Sequence, residues 1–156
     1  MVKGATGRVD AFVFDLDGTL IDSKQDIVAS VNLMLRDTKR EEQPAELVRT
    51  FIGHGAPQLI ASVLGPAASE EQRHEALGIF LAHYRERKLD RTRPYPGVAE
   101  ALRKLAGRPM AVLSNKPTEL SVDILKGLGL ARFFGSAQEF VETVIFGWFL
   151  HFVIYG

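Results

Sequence analysis

The chain has 156 residues, 46% of them hydrophobic and 24% charged, with Lys plus Arg and Asp plus Glu balanced at 19 each. That size and composition predict a soluble globular protein of one domain, or one domain with a small insertion, and the balanced charge excludes an overall field favouring nucleic acid or an anionic membrane. Cysteine is absent, which excludes disulfides, thiolate nucleophiles and thiolate metal sites and leaves oxygen and histidine as metal donors.

Met1 to Arg8 contains no apolar run of signal-peptide length, so a cytoplasmic protein is expected. Val9 to Phe14 is a short β-branched and aromatic run that predicts a buried strand entering the acidic loop Asp15-Leu-Asp-Gly-Thr-Leu20. Ser23 with Asp26 three residues on resembles a capping box, and Ile27, Val31, Met34 and Leu35 then recur at helical spacing. Only helices are expected from Pro44 to Leu89: Pro44 to Phe51, Ala56 to Leu64 stopped by Gly65-Pro66, and a long one opened by Ser69 that buries Leu77, Phe80, Leu81 and Tyr84 on one face. A turn at Arg93 to Gly97 follows, then a helix from Val98 to Leu105, a strand from Met110 to Leu113, and a helix opened by Pro117 and Thr118 and closed by Gly129.

A strand and loop interrupted by an all-helical stretch, after which helix and strand alternate again, predict an α/β fold. Its parallel core comprises residues 1–21 and 92–156, and residues 22–91 form a helical insertion. The tail from Val144 to Tyr155 is almost wholly apolar. At about twelve residues it is shorter than the roughly twenty needed to span a bilayer as helix, so a buried strand pair or an apolar helix is expected, and no membrane partner.

Asp15 and Asp17 stand two apart at the carboxyl end of the first strand, where extended geometry turns both side chains to one side and Leu16 to the other. Open α/β sheets bind ligands at that end. Two carboxylates so close repel unless a cation neutralises them, and Mg²⁺ with its hard oxygen ligands suits them. An EF-hand loop starting at Asp15 would need glycine at its sixth position and glutamate at its twelfth, where the chain has Leu20 and Asp26, so a calcium loop is excluded. Gly18 permits a sharp departure of the chain, and Thr19 offers a hydroxyl or an N–H. A second polar cluster, Ser114-Asn115-Lys116, ends the later strand. A hydroxyl, an amide and an ammonium beside a helix start can hold phosphate oxygens.

Phe12-Val-Phe-Asp-Leu-Asp-Gly-Thr-Leu20 resembles the first motif of the haloacid dehalogenase-like hydrolases, and Val112-Leu-Ser-Asn-Lys-Pro117 resembles their second. The resemblance implies a Rossmann-like core and a phosphatase in which Asp15 is the nucleophile that forms an aspartyl-phosphate and Asp17 is the general acid and base. The aspartate at position 17 argues against a true haloacid dehalogenase. Ser114 and Asn115 are implied as phosphate ligands, with Lys116 as a charge stabiliser and Mg²⁺ on Asp15 and the backbone carbonyl of Asp17. The insertion is similar to the α-helical cap of the phosphoglycolate phosphatase branch, as are Ile52-Gly-His-Gly55 and Tyr95-Pro-Gly97. Gly53, His54 and Gly55 are therefore expected at the substrate, a small phosphorylated metabolite such as 2-phosphoglycolate.

The resemblance is expected to stop near Ser136, because the family's later lysine and its Gly-Asp acidic motif are not visible: the last lysine is Lys126 and the last aspartate Asp123. A truncated or frame-shifted tail is the expectation, with self-association through that apolar segment. A phosphate-binding protein without turnover and a sugar phosphomutase are the alternatives.

Overall fold

In the computed structural model, which describes residues 11–134 and the backbone of 141–143, the apolar run after Ala11 forms strand β1 (Phe12–Asp15). It is followed by β2 (Ile21–Asp22), four helices, α1 (Lys24–Asp37), α2 (Ala45–Thr50), α3 (Ala56–Leu64) and α4 (Glu70–Arg87), then β3 (Arg93–Pro94), α5 (Val98–Lys104), β4 (Met110–Ser114), α6 (Thr118–Gly127), a 3-10 turn at Ala131–Phe133 and β5 (Val141–Thr143). The sheet has the order β1-β4-β5 with both pairings parallel, so the expected α/β architecture with a helical insertion is the observed one.

Strand β4 lies in the middle of this sheet and alternates buried Met110, Val112 and Ser114 with half-buried Ala111 and Leu113. Its register with β1 sets Phe12 opposite Met110 and Asp15 opposite Leu113, which brings the carboxyl ends of the two strands level. The inserted helices pack on one another, α1 and α3 both against α4. Their buried faces carry Val31, Met34 and Leu35 from α1, Ile60 from α3, and Ala76, Phe80 and Tyr84 from α4. Each of the larger side chains removed from water contributes roughly 1.5–3 kcal/mol, which adds to the helix-forming composition of α4 the tertiary support that an isolated helix lacks. Ser69 opens α4 with a reciprocal capping box to Gln72.

Several local expectations need correction. Ser23 and Asp26 form no capping box: the Ser23 side chain makes no cap hydrogen bond and instead donates to Asp17 Oδ1. Asp26 turns inward, where its carboxylate accepts from Arg91 N–H at 2.9 Å, Thr92 N–H at 2.8 Å and Thr92 Oγ1 at 2.7 Å. A buried carboxylate is stable only with such partners, and the segment leaving the helical insertion supplies more of them than the start of α1 could. Arg93 and Pro94, expected as part of a turn, pair antiparallel with Ile21 and Asp22, so a two-stranded ribbon joins the two crossings between core and insertion. Leu77 and Leu81 are half-buried, and Ala76 takes the fully buried place beside Phe80 and Tyr84. Strand β4 runs one residue further than expected and includes Ser114.

The start of the first expected strand, Val9 and Asp10, lies outside the described residues. Beyond Ser136 the sheet continues, since Val141–Thr143 pairs with Val112–Ser114. The apolar tail from Val144 onward, and the self-association expected of it, lie outside the described residues. Among those residues no helix is long and apolar enough to cross a membrane.

Candidate active site

Asp15 is the last residue of β1 and Ser114 the last of β4, one place beyond Leu113 that Asp15 faces, so both stand at the same rim of the sheet. After Asp15 the chain turns sharply. Leu16 is driven fully inward, and its carbonyl accepts from Leu20 N–H at 3.0 Å and Ile21 N–H at 3.1 Å. Gly18 adopts φ +87°, a left-handed conformation that a side chain would strain, so the loop closes under Asp17 as a tight turn. Asp17 therefore lies in that turn and not in the strand, yet its carboxylate still reaches the same side as Asp15.

Two partners fix the Asp17 carboxylate. Ser23 Oγ donates to Oδ1, and Lys116 Nζ lies 3.2 Å from Oδ2. Lys116 is 8% exposed, and its Nζ also donates to the Tyr84 hydroxyl at 2.8 Å. Burial by itself pushes the Lys116 ammonium pKa down, but the charge of Asp17 and the Tyr84 hydroxyl outweigh it, and the pKa ends above the ordinary lysine range. Burial raises the Asp15 carboxyl above the ordinary carboxylate range; a hydrogen bond from Leu16 N–H opposes this, the Asp17 charge reinforces it and Lys116 opposes it.

One cavity joins these groups. Asp15, Asp17, Ser114, Asn115 and Lys116 supply its polar surface, and Ile52, Leu59, Phe80, Leu81 and Tyr84 bring the insertion to it. Gly53 and Gly55 line it as well. Asn115 Nδ2 donates to the Gly53 carbonyl at 2.9 Å, a direct bond between the loop after β4 and the loop between α2 and α3. Gly55 has φ +87°, and a Cβ there would stand 3.3 Å from the Asn115 carbonyl oxygen, so glycine meets both a backbone and a packing requirement.

Of the residues expected at the site, Asp15, Asp17, Ser114, Asn115, Lys116, Gly53 and Gly55 converge on this cavity. His54 and Thr19 are exposed and are not among its lining residues. Sequence reasoning missed Ser23 and Tyr84. The only hint for Tyr84 was a hydroxyl on the inward face of a helix, where phenylalanine would pack as well and a buried O–H needs a partner. Nothing in the local pattern marked Ser23, whose place before a helix suggested a cap.

The donor set suits a hard divalent cation in part. Asp15 offers a partly covered, solvent-accessible carboxylate whose ionised form is disfavoured where it stands, a situation that a cation relieves, and Mg²⁺ is commonly held by one or two carboxylates with waters and substrate oxygens completing its shell. Among the described residues no group of three or more Asp, Glu, His or Cys side chains forms a metal cluster.

The profile of the haloacid dehalogenase-like hydrolases matches residues 9–147, past the point near Ser136 where the resemblance was expected to stop. A phosphoglycolate phosphatase of Neisseria meningitidis is 36% identical over 139 residues, which cover 85% of this chain and 59% of that protein. The phosphoglycolate phosphatase of Haemophilus influenzae strain Rd is 38% identical over 130 residues, covering 78% of this chain and 58% of the relative. This chain thus spans little more than half the length of these relatives. Among solved structures, a predicted phosphoglycolate phosphatase from Haemophilus somnus superposes with a TM-score of 0.74 at 31% identity, covering 83% of this chain and 62% of the other. A predicted phosphatase from Clostridium acetobutylicum does so with a TM-score of 0.74 at 25% identity, covering 83% of this chain and 60% of the other. With the family profile spanning most of its length and the parallel sheet carrying both motifs at one rim, the chain belongs to the haloacid dehalogenase-like hydrolases.

Proposed function

We propose that the chain hydrolyses a small phosphate monoester at the rim of β1 and β4, with residues 1–21 and 92–156 as the core and 22–91 as a cap over the site. The observation that carries this reading is the convergence of Asp15, Asp17, Ser114 and Lys116 on one cavity beneath the inserted helices. An Asp15 carboxylate oxygen attacks phosphorus, and the bond from phosphorus to the leaving alkoxide oxygen breaks as Asp17 supplies that oxygen with a proton. A water then attacks the aspartyl-phosphate, Asp17 takes its proton, and the bond to Asp15 breaks to release inorganic phosphate. Ser114 and Asn115 hold the phosphoryl oxygens, and Lys116 offsets their negative charge. Mg²⁺, held by the Asp15 carboxylate and the Asp17 carbonyl, supplies further charge neutralisation when bound. The inserted helices over the cavity shield the reacting groups from bulk water on that side.

The names of the relatives favour 2-phosphoglycolate as substrate. The test incubates the pure protein with Mg²⁺ and a panel of small phosphate esters that includes 2-phosphoglycolate. Phosphate release well above that of an Asp15→Asn variant is expected, and equal rates would remove the enzyme reading. A second reading, phosphate binding without turnover, is favoured by the lack of a three-ligand acidic cluster among the described residues. Calorimetry that detects orthophosphate binding in a protein that hydrolyses no ester would select it.

A further inference from the structure

Tyr84 sits on α4, in the inserted helices, yet its one polar atom is spent on the core. The residue is 1% exposed and its ring stacks on Phe80 at a centroid separation of 5.7 Å, so its packing is complete without a hydroxyl. That hydroxyl accepts from Lys116 Nζ at 2.8 Å, and the same ammonium lies 4.4 Å from the centroid of the ring. Lys116 in turn stands 3.2 Å from Asp17 Oδ2, while its main-chain N–H donates to Ser114 Oγ at 3.2 Å. A lysine ammonium has a long flexible stem and three donors, so its position is set by the acceptors around it. Here one acceptor belongs to the proposed acid and base and another comes from the far side of the cavity.

We propose that Tyr84 is a positioning residue: its hydroxyl holds Lys116 against Asp17 and makes the placement of that charge depend on α4 lying over the core. The assignment rests on reading Asp17 and Lys116 as parts of the phosphoryl-transfer site. When α4 is seated, the ammonium is held between ring, hydroxyl and carboxylate. When α4 withdraws, the Tyr84 acceptor leaves with it and the ammonium loses one of the contacts that fix its place. The cap thereby completes the charge arrangement as it covers the substrate, so the site is at full strength only when closed.

The test is Tyr84→Phe, which keeps the ring, the stacking and the cation–π contact and removes only the acceptor. With Mg²⁺ and the ester that the wild type hydrolyses fastest, kcat is expected to fall roughly tenfold or more while KM stays within about twofold. In parallel, lysine amines of the intact chain are labelled with acetic anhydride and each site is read by peptide mass spectrometry. Lys116 is expected to label several-fold faster in the variant while Lys24 keeps its wild-type rate. Adding Tyr84→Phe to Lys116→Met should lower kcat no further. An unchanged kcat, a change in KM alone, an additive double variant or wild-type protection of Lys116 overturns the proposal, as does a Tyr84→Phe protein that melts far below the wild type, which would mark a merely structural hydroxyl. If the wild type hydrolyses no ester, the enzyme reading fails on its own account and the Lys116 labelling ratio alone decides the role of Tyr84.

Discussion

Lys116 Nζ stands 3.2 Å from Asp17 Oδ2, joining the residue two places beyond β1 to the residue two places beyond β4. The pair follows from the register: with Asp15 opposite Leu113, the chain leaves both strands at the same level. Removing one member of a buried, hydrogen-bonded ion pair leaves the other short of a partner. Asp17 keeps some access to water, which moderates that penalty.

Replacing Lys116 by Met should therefore cost about 1–3 kcal/mol of stability. Because the folded pKa of Lys116 is raised, its contribution is fully present below the ordinary lysine pKa of about 10.4 and is lost as pH rises through the higher folded value. Denaturant melts should give a wild-type to Lys116→Met difference that is flat across neutral pH and shrinks only in strong alkali. In the ester assay the same variant should lose roughly a hundredfold to a thousandfold in kcat, as expected when a charge stabiliser is removed.

Asp15 obeys the same linkage from a lower pKa, so at neutral pH its effect on stability is the reverse. Its folded pKa is raised, first by burial and then by the Asp17 charge, so its favourable contribution is complete below about pH 3.9 and is lost as pH rises through the folded value. At neutral pH the ionised carboxylate disfavours the fold. Asp15→Asn should accordingly raise the melting temperature of the metal-free protein at neutral pH, and the gain should vanish in acid. Scanning calorimetry at several pH values checks this, and added Mg²⁺ should raise the melting temperature of the wild type but not of the variant.

Asp26 secures the point where the chain leaves the insertion. Asp26→Ala strips acceptors from Arg91 N–H, Thr92 N–H and Thr92 Oγ1, the last two buried, and should destabilise by about 3 kcal/mol in urea unfolding. Asp26→Asn should recover part of that loss, because the amide retains one acceptor oxygen. A neutral outcome for the alanine variant would mean that water satisfies these donors.

The contact between Asn115 and the loop at Gly53 should respond to two different substitutions. Asn115→Ala removes the bond to the Gly53 carbonyl and should cost about 1 kcal/mol. Gly55→Ala introduces a Cβ at φ +87° and 3.3 Å from the Asn115 carbonyl oxygen, and should cost about 1–3 kcal/mol. Both changes should also raise KM in the ester assay, Gly55→Ala by displacing the loop that lines the cavity and Asn115→Ala by loosening it and removing a proposed phosphoryl ligand. Unaltered KM in both would detach that loop from substrate binding.

Much of this arrangement was legible because it is local. The apolar run before Asp15, the Ser69 cap and the glycine-proline stop after Leu64 each show in a few consecutive residues, and all three are present. What escaped was contact made across turns and between elements. Ser23 and Asp26 have the spacing of a capping box, but their partners are Asp17 on one side and Arg91 and Thr92 on the other, and the latter lie 65 and 66 residues away. The ribbon of Ile21–Asp22 with Arg93–Pro94 is two residues long on each side, too short to leave a period, and one of its members is a proline. Tyr84 was legible as core and illegible as a hydrogen-bond acceptor, because helical spacing reveals a face and not what that face meets.

The central claim is that Asp15 captures phosphorus, and trapping that bond tests it most directly. The protein is mixed with Mg²⁺ and excess phosphate ester, quenched during turnover and reduced with borohydride, which converts an acyl phosphate to the alcohol. Peptide mass spectrometry should then find homoserine at position 15 of the wild type and at no other aspartate. An intact Asp15 in a protein that is releasing phosphate, or homoserine at a different position, would contradict the account.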